Sequence, residues 1–225
     1  AAIGGKTGCD FNNYKNMIGS FYPAESIYVF PLFVQSLSED QYRSGLAEAF
    51  KTALLYDAEL YGVFKNESEK IERRDESTVN FIIKKCAAAK AAVVERDFTE
   101  QNIRMYLNFG HTFGHALESL LGLGSITHGD AVAWGISRAL TLSCTIGLCS
   151  QAYKDEVLEI LARYGWETAP VPRVIHGGNA GARLLSIMHK DKKNTDGGIR
   201  LILQKGLMET IAQIVSDDAI LNVLK

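Results

Sequence analysis

Ser38-Glu39-Asp40-Gln41-Tyr42-Arg43-Ser44-Gly45-Leu46-Ala47-Glu48-Ala49-Phe50-Lys51 decides the fold class. Ser38 followed three residues later by Gln41 is a capping-box arrangement, so a helix begins here. Behind it Leu46, Phe50, Ala53, Leu54 and Tyr61 recur at helical spacing. The same period continues downstream. A second long helix is expected over Ser77–Val94, with Val79, Ile82, Ile83, Cys86, Ala87 and Val93 inward. Residues 96–105 carry no apolar stripe and read as a loop or a short helical turn. Helices are then expected at 110–121, 129–147, 151–164 and 180–190, with Ser150 and Asn179 as caps and Gly147 and Gly165 as stops.

The two ends of the chain read differently. Residues 1–37 hold Gly4, Gly5, Gly8, Gly19 and Pro23, then an apolar run Ile27-Tyr28-Val29-Phe30 stopped by Pro31. Such punctuation suggests strands and loops, and strands of this length need a sheet to join. Near the other end, Ile199–Leu203 and Thr210–Val215 have β character around Lys205-Gly206, which predicts a small hairpin. Ser216-Asp217-Asp218 opens a last short helix. The expected organisation is a β fragment at 1–37 followed by a mainly α domain over 38–225.

Composition narrows the function. With 24 Lys plus Arg against 26 Asp plus Glu, the net charge of −2 leaves no electrostatic footprint for nucleic acid. No apolar run is long enough to span a membrane, and no signal peptide is visible. Four cysteines, Cys9, Cys86, Cys144 and Cys149, form no CxxC pair and are too sparse for a disulfide scaffold, which favours a reducing, cytoplasmic setting.

The densest chemical cluster is Asn108-Phe109-Gly110-His111-Thr112-Phe113-Gly114-His115-Ala116-Leu117-Glu118. His111 and His115 are four apart and share a helix face. Thr127-His128-Gly129-Asp130 follows a glycine turn that could return a third histidine toward the first two. Three histidines and a carboxylate can make a zinc site with an open position. Thr112 stands where a metalloprotease has its catalytic Glu, which disfavours a zinc hydrolase. His176 and His189 have no such company.

Glu48 and Lys51 share one face of the first helix among apolar neighbours. They are either an exposed ion pair or a buried pair with a metal role. Gly4-Gly5-Lys6-Thr7, Lys15-Asn16 and Lys190 to Lys193 are candidate anion sites, with Lys90 and Arg104 as two more cations.

These stretches together resemble the 3-dehydroquinate synthase family, within the sugar-phosphate cyclases. The resemblance is carried by Gly4 to Gly8, Lys15 to Tyr22, Arg43-Ser44-Gly45-Leu46-Ala47-Glu48, Asn108 to His115, His128-Gly129 and Asp191-Lys192-Lys193. It runs from residue 3 nearly to the C-terminus and implies the metal-binding helical fold of that family's C-terminal domain. It further implies that Glu48, His111 and His128 hold a Zn²⁺ or Co²⁺ ion, with His115 on the substrate side. Lys51, Lys90, Glu100, Arg104 and Asn108 map to the catalytic pocket. Lys6, Lys15, Asn16, Lys192 and Lys193 map to substrate binding.

The implied reaction is a lyase step of the shikimate pathway, from 3-deoxy-D-arabino-heptulosonate 7-phosphate to 3-dehydroquinate and phosphate. It runs through oxidation of a ring hydroxyl by NAD⁺, β-elimination of phosphate, return of the hydride, ring opening and aldol closure. A homodimer is implied for the full enzyme. Related cyclases that make an inosose or a valiolone are the alternative, and Arg104 and Asn108 favour a carboxylated substrate. Two departures stand out. Asp130 replaces the family's usual Glu after His-Gly, as a residue expected behind a metal ligand. Of the N-terminal nucleotide-binding domain only residues 1–37 are expected here, as a remnant of its sheet and the substrate loop, which implies a fragment, inactive alone, that keeps metal and substrate binding without retaining NAD⁺.

Overall fold

The structure, a computed structural model, describes the backbone of residues 2–11, 14–122, 124–191 and 198–225, and side chains there except at 10, 14–17 and 191. Two strands, β1 (Lys6–Phe11) and β2 (Tyr14–Phe21), come first, then a 3-10 turn at Pro31–Ser36. Helices α1 (Glu39–Tyr56), α2 (Ala58–Asn66), α3 (Ser68–Glu72) and α4 (Glu76–Arg96) follow. A second 3-10 segment, Ile103–Asn108, leads into α5 (His111–Leu121) and α6 (His128–Thr145). The chain ends with α7 (Gln151–Arg163), α8 (Ala180–Asp191), the pair β3 (Ile199–Gly206) and β4 (Glu209–Val215), and α9 (Asp217–Asn222). The mainly helical reading with a β fragment in front and a hairpin behind holds. Among the described residues no helix is long and apolar enough to cross a membrane.

Most helix starts follow from hydroxyl or carboxylate caps. Ser38 Oγ accepts from the Gln41 N–H, and Ser150 and Ser216 do the same for Tyr153 and Ala219. One boundary differs from expectation. The period running from Leu46 to Tyr61 is broken at Asp57, whose Oδ1 accepts from Leu60 N–H at 2.8 Å and so starts a new helix. The helix expected over Ser77–Val94 runs from Glu76 to Arg96, capped by Asp75 through its bond to Thr78 N–H. Asn179, directly before α8, lies in the left-handed region at φ +62° and receives the Arg183 N–H on its carbonyl, the position expected of the cap.

The front β pairing uses Lys6–Phe11 with Tyr14–Phe21 in antiparallel register. The expected strand at Ile27–Phe30 is in no sheet. Pro23 and Pro31 bracket it, each lacking an N–H and fixing φ. In the rear hairpin the turn falls on Leu207-Met208, two residues beyond Lys205-Gly206. Met208 donates its N–H to Leu54 O at 2.9 Å, so docking on the end of α1 fixes the turn at the cost of a left-handed φ of +63°.

The core forms around α1, α5 and α6. Phe50 packs on Phe64 and Trp166, and Trp134 meets Phe113 edge-on. The α5–α6 contact is backbone to backbone. A Cβ on Gly135 would collide with Gly110 O and stand 3.0 Å from Gly114 N, and one on Gly114 would stand 2.9 Å from Ala131 O. Gly129, in the first turn of α6, abuts the Ser44 backbone of α1 and donates its N–H to Ser44 Oγ at 2.9 Å. Ser44 and Glu48 are four apart on α1 and share a face. Seating Gly129 on Ser44 therefore delivers His128 beside Glu48.

This packing makes a contrast between glycines. Gly135→Ala should lower unfolding free energy by about 1–3 kcal/mol, the usual cost of overpacking. Gly62→Ala, where an added Cβ meets nothing within 4 Å, should leave it unchanged or raise it by ~0.5–1 kcal/mol. Urea unfolding of both variants checks this, and equal effects would contradict the close approach.

Candidate functional site

Three elements converge on one point. Glu48 and Lys51 come from α1, His111 from the first turn of α5 and His128 from the first residue of α6. The entry to α5 depends on Gly110, at φ +80°, where a side chain would lie within 3 Å of Ile136 N and Val132 O. That turn lets Asn108 and His111 face the same cavity. His128 is set by Thr127, whose Oγ1 caps α6 by accepting from Asp130 N–H at 3.1 Å. Arg43 grips the Asp130 carboxylate through two bonds of 3.1 Å, tying the start of α6 to α1. Asp130 thus braces two helices, where the sequence had suggested a residue behind a ligand.

The geometry around Glu48 is specific. Its Oε2 receives Lys51 Nζ at 2.6 Å. Its Oε1 is buried with no hydrogen-bond partner, yet His128 Nε2 lies 3.3 Å away and His111 Nε2 3.5 Å away. Donor atoms 2.0–2.1 Å from a tetrahedral Zn²⁺ stand about 3.3 Å apart. One carboxylate oxygen and two imidazole nitrogens at that spacing fit an ion, and the orphaned Oε1 gains the partner it otherwise lacks. Each imidazole has its other nitrogen engaged. His111 Nδ1 is 3.2 Å from Phe109 O, and His128 Nδ1 is 3.4 Å from both carboxylate oxygens of Glu118.

Charge follows from these contacts. Burial works against the Glu48 anion, but Lys51, His128 and His111 hold its carboxyl well below the usual range. Burial and then Lys51 depress His111 to about 3, keeping it neutral. The carboxylates of Glu118 and Glu48 on either side of the ring push His128 up to about 9.

The cavity beside it has a volume of about 700 Å³. One wall is apolar, built from Leu46, Ala49, Val79, Ile82 and Ile83. The lining also carries Lys6, Lys90, Glu100, Arg104 and Asn108. Burial, with Arg104 and Lys90 beside it, lowers the Lys6 pKa, and burial with Lys51 nearby lowers that of Lys90. Glu100 is aimed inward from a left-handed position at φ +61°. Asp97 stabilises that loop by accepting the N–H groups of Gln101, Asn102 and Arg104. Glu100 in turn pairs with Lys6 and accepts from Asn108 Nδ2 at 2.9 Å. Arg104 gives one guanidinium nitrogen to Gly4 O and another to Phe98 O, so part of its capacity holds the front segment in place.

Nine of the residues expected from sequence are thus brought to one cavity: Lys6, Glu48, Lys51, Lys90, Glu100, Arg104, Asn108, His111 and His128. His115 lies one turn along α5, its ring 5.2 Å from that of His111 and 6.1 Å from that of His128, on the Glu118 side. Lys15 and Asn16 fall on the backbone of β2, their side chains outside the described residues, as are Lys192 and Lys193 entirely. His189 bonds Asp217 at 3.0 Å, away from the cluster. Sequence reasoning missed Glu118 and Asp97. Glu118 was within reach, because positions 111, 115 and 118 fall on one helical stripe.

Residues 45–194 match the model of the 3-dehydroquinate synthase C-terminal domain, and residues 1–44 match that of the N-terminal domain. The chain belongs to the 3-dehydroquinate synthase family. Curated relatives include the 3-dehydroquinate synthases of Bacillus cereus strain G9842, 38% identical over 98% of this chain, and Synechocystis sp., 35% identical over 98%. The chain spans 59% and 60% of those two proteins. Among solved structures, the valiolone synthase ValA of Streptomyces hygroscopicus, with NAD⁺ and Zn²⁺ bound, superposes with a TM-score of 0.86 at 24% identity over 99% of this chain and 61% of its own. A 2-deoxy-scyllo-inosose synthase complexed with carbaglucose-6-phosphate, NAD⁺ and Co²⁺ gives 0.77 at 19%, over 99% of this chain and 62% of its own. At these identities the two structures establish the family's fold.

Because a single hydroxyl starts the helix that carries His128, Thr127→Ala should cost about 1 kcal/mol of stability, the usual value of a lost cap. A urea titration reads it. A cost near zero would show that the Arg43–Asp130 clamp alone holds the start of α6.

Proposed function

We propose that this chain is the metal- and substrate-binding part of a 3-dehydroquinate synthase. The reaction is conversion of 3-deoxy-D-arabino-heptulosonate 7-phosphate to 3-dehydroquinate and phosphate in the shikimate pathway, leading to aromatic amino acids. The observation that carries the reading is the orphaned Glu48 Oε1 faced by two imidazole Nε2 atoms at metal-ligand spacing, in a cavity whose lining also carries Lys6, Lys90 and Arg104. Family membership and curated relatives of the same name support it.

Glu48, His111 and His128 would hold a Zn²⁺ or Co²⁺ ion. When bound, the ion supplies Lewis acidity toward a substrate hydroxyl, and NAD⁺ supplies reversible hydride acceptance. Lys51 clamps Glu48 Oε2, which leaves Oε1 anionic and directed at the ion's position. Lys6, Lys90 and Arg104 provide the positive field for phosphate and carboxylate, holding the substrate in one orientation. Asn108 and Glu100, bonded to each other, are placed to orient ring hydroxyls. The wall of Leu46, Ala49, Val79 and Ile82 keeps water from the reacting face. Lys15, Asn16, Lys192 and Lys193 would complete the phosphate end, and His115 would act from behind the ligands.

For the whole enzyme we take a cytoplasmic homodimer with no nucleic-acid partner. The four cysteines are free thiols, which suits a reducing compartment, and the net charge is −2.

Two titrations test this reading. The chain should take up one equivalent of Zn²⁺, and Glu48→Gln should weaken it by more than about 100-fold, beyond the 10–100-fold typical of residues behind a ligand. With zinc present, the seven-carbon heptulosonate phosphate should bind about tenfold or more tighter than sedoheptulose 7-phosphate or glucose 6-phosphate, because a charge-assisted bond to its carboxylate is worth about 1.5–3 kcal/mol. Preference for an uncharged sugar phosphate would reassign the chain to another cyclase.

A further inference from the structure

Glu118 is 8% exposed, on the third turn of α5, seven residues after His111. Its two carboxylate oxygens stand at equal distances of 3.4 Å from His128 Nδ1. The opposite nitrogen of that ring, Nε2, is the one that faces Glu48 Oε1 at 3.3 Å. His111 has a different arrangement, with Nδ1 at 3.2 Å from the Phe109 carbonyl and Nε2 toward Glu48. One imidazole is therefore backed by a neutral carbonyl and the other by a buried carboxylate.

We propose that Glu118 is a positioning residue of the metal centre, whose carboxylate accepts the Nδ1–H of His128 and so directs the Nε2 lone pair at the ion. The inference rests on the metal reading above. A carboxylate behind a ligating imidazole fixes the tautomer, orients the ring and strengthens nitrogen donation. Here it has a further consequence. Glu118 and His111 sit on the same helix, so α5 supplies one ligand directly and aligns the second through Glu118. His128, with 41% of its side chain exposed, is the less confined ring and has more to gain from an anchor than His111, at 14%. The donor atoms of His115, Glu118 and His128 also lie within 4.8 Å of one another. A second ion there would require His128 to bind through both nitrogens, which means losing its last ring proton. A protonated Nδ1 shared by the two Glu118 oxygens needs no such loss.

The test compares the 225-residue chain with Glu118→Gln, which keeps an acceptor of the same shape without the charge, and Glu118→Met, which removes both. Zinc is titrated against a competing chelator, and long-range ¹H–¹⁵N spectra of the histidine rings are recorded on the zinc-loaded proteins. One equivalent is expected in all three, with affinity falling in the order Glu, Gln, Met and the Met variant about 10–100-fold weaker. The His128 Nδ1–H resonance should move or broaden in the variants while that of His111 stays. Equal affinities with an unchanged His128 signal would overturn the proposal, as would two equivalents in the parent chain with the second lost in the variants. A parent chain that binds no zinc would instead overturn the metal assignment itself.

Discussion

Everything at the site depends on how closely the backbone of α6 approaches its two neighbours. Gly135 touches Gly110 and Gly114 with no side chain between, and Gly129 rests on the Ser44 backbone. Helices normally pack 8–10 Å apart, at a distance set by the side chains in the contact. Glycines at the contact remove that spacer. The histidines at 111 and 128, which begin two helices joined by a glycine turn, then reach one carboxylate on a third. A spacer of even one methyl group on α6 would separate donor atoms whose useful range is a few tenths of an ångström.

The second constraint is electrostatic. A buried carboxylate is costly unless its charge is answered. Glu48 is answered unequally: Lys51 pairs with one oxygen at 2.6 Å, while the other faces only two ring nitrogens at 3.3 and 3.5 Å. A site optimised for stability alone would satisfy both oxygens. The open oxygen is where a cation would find its partner. Elsewhere in the same cavity burial first, and then neighbouring cations, lower the pKa values of Lys6 and Lys90.

Much of this was legible in the sequence because helices announce themselves through period and caps. Ser38, Ser150 and Ser216 gave their starts correctly, and Gly147 and Gly165 their stops, both at positive φ. What escaped were decisions made by tertiary contact. No local rule puts a turn at Leu207-Met208 in place of Lys205-Gly206, since the deciding bond runs to Leu54 on another element. The site residues were legible only in part from spacing, which offered three histidines. Glu48 became a ligand through resemblance, and nothing in the stretch from 39 to 56 says that it points at a helix some 70 residues further on. Glu118 was missed although its helical phase was available, because a lone acid in a helix is ordinarily a solvated one.

Parts of the cavity also differ in what holds them. The cluster of Glu48, His111 and His128 is fastened by α1, α5 and α6, whose contacts run through the centre of the core. Among the described residues the front hairpin is tied to the rest of the cavity through Arg104 to Gly4 O at 2.8 Å, Lys6 to Glu100, and the Phe21 ring beside Phe98 at 5.8 Å and Arg104. Ile18, Phe21 and Tyr22 remain largely exposed. Segments with few buried contacts open at lower free energy than the core. Amide hydrogens of residues 5–9 and 18–21 should therefore exchange well before those of 131–142 in native-state hydrogen exchange. Equal protection would mean that the hairpin is held as firmly as the core. If the order holds, an anion that bridged Lys6 and Arg104 would tighten the hairpin onto the cluster of Glu48, His111 and His128, which the core already holds in place.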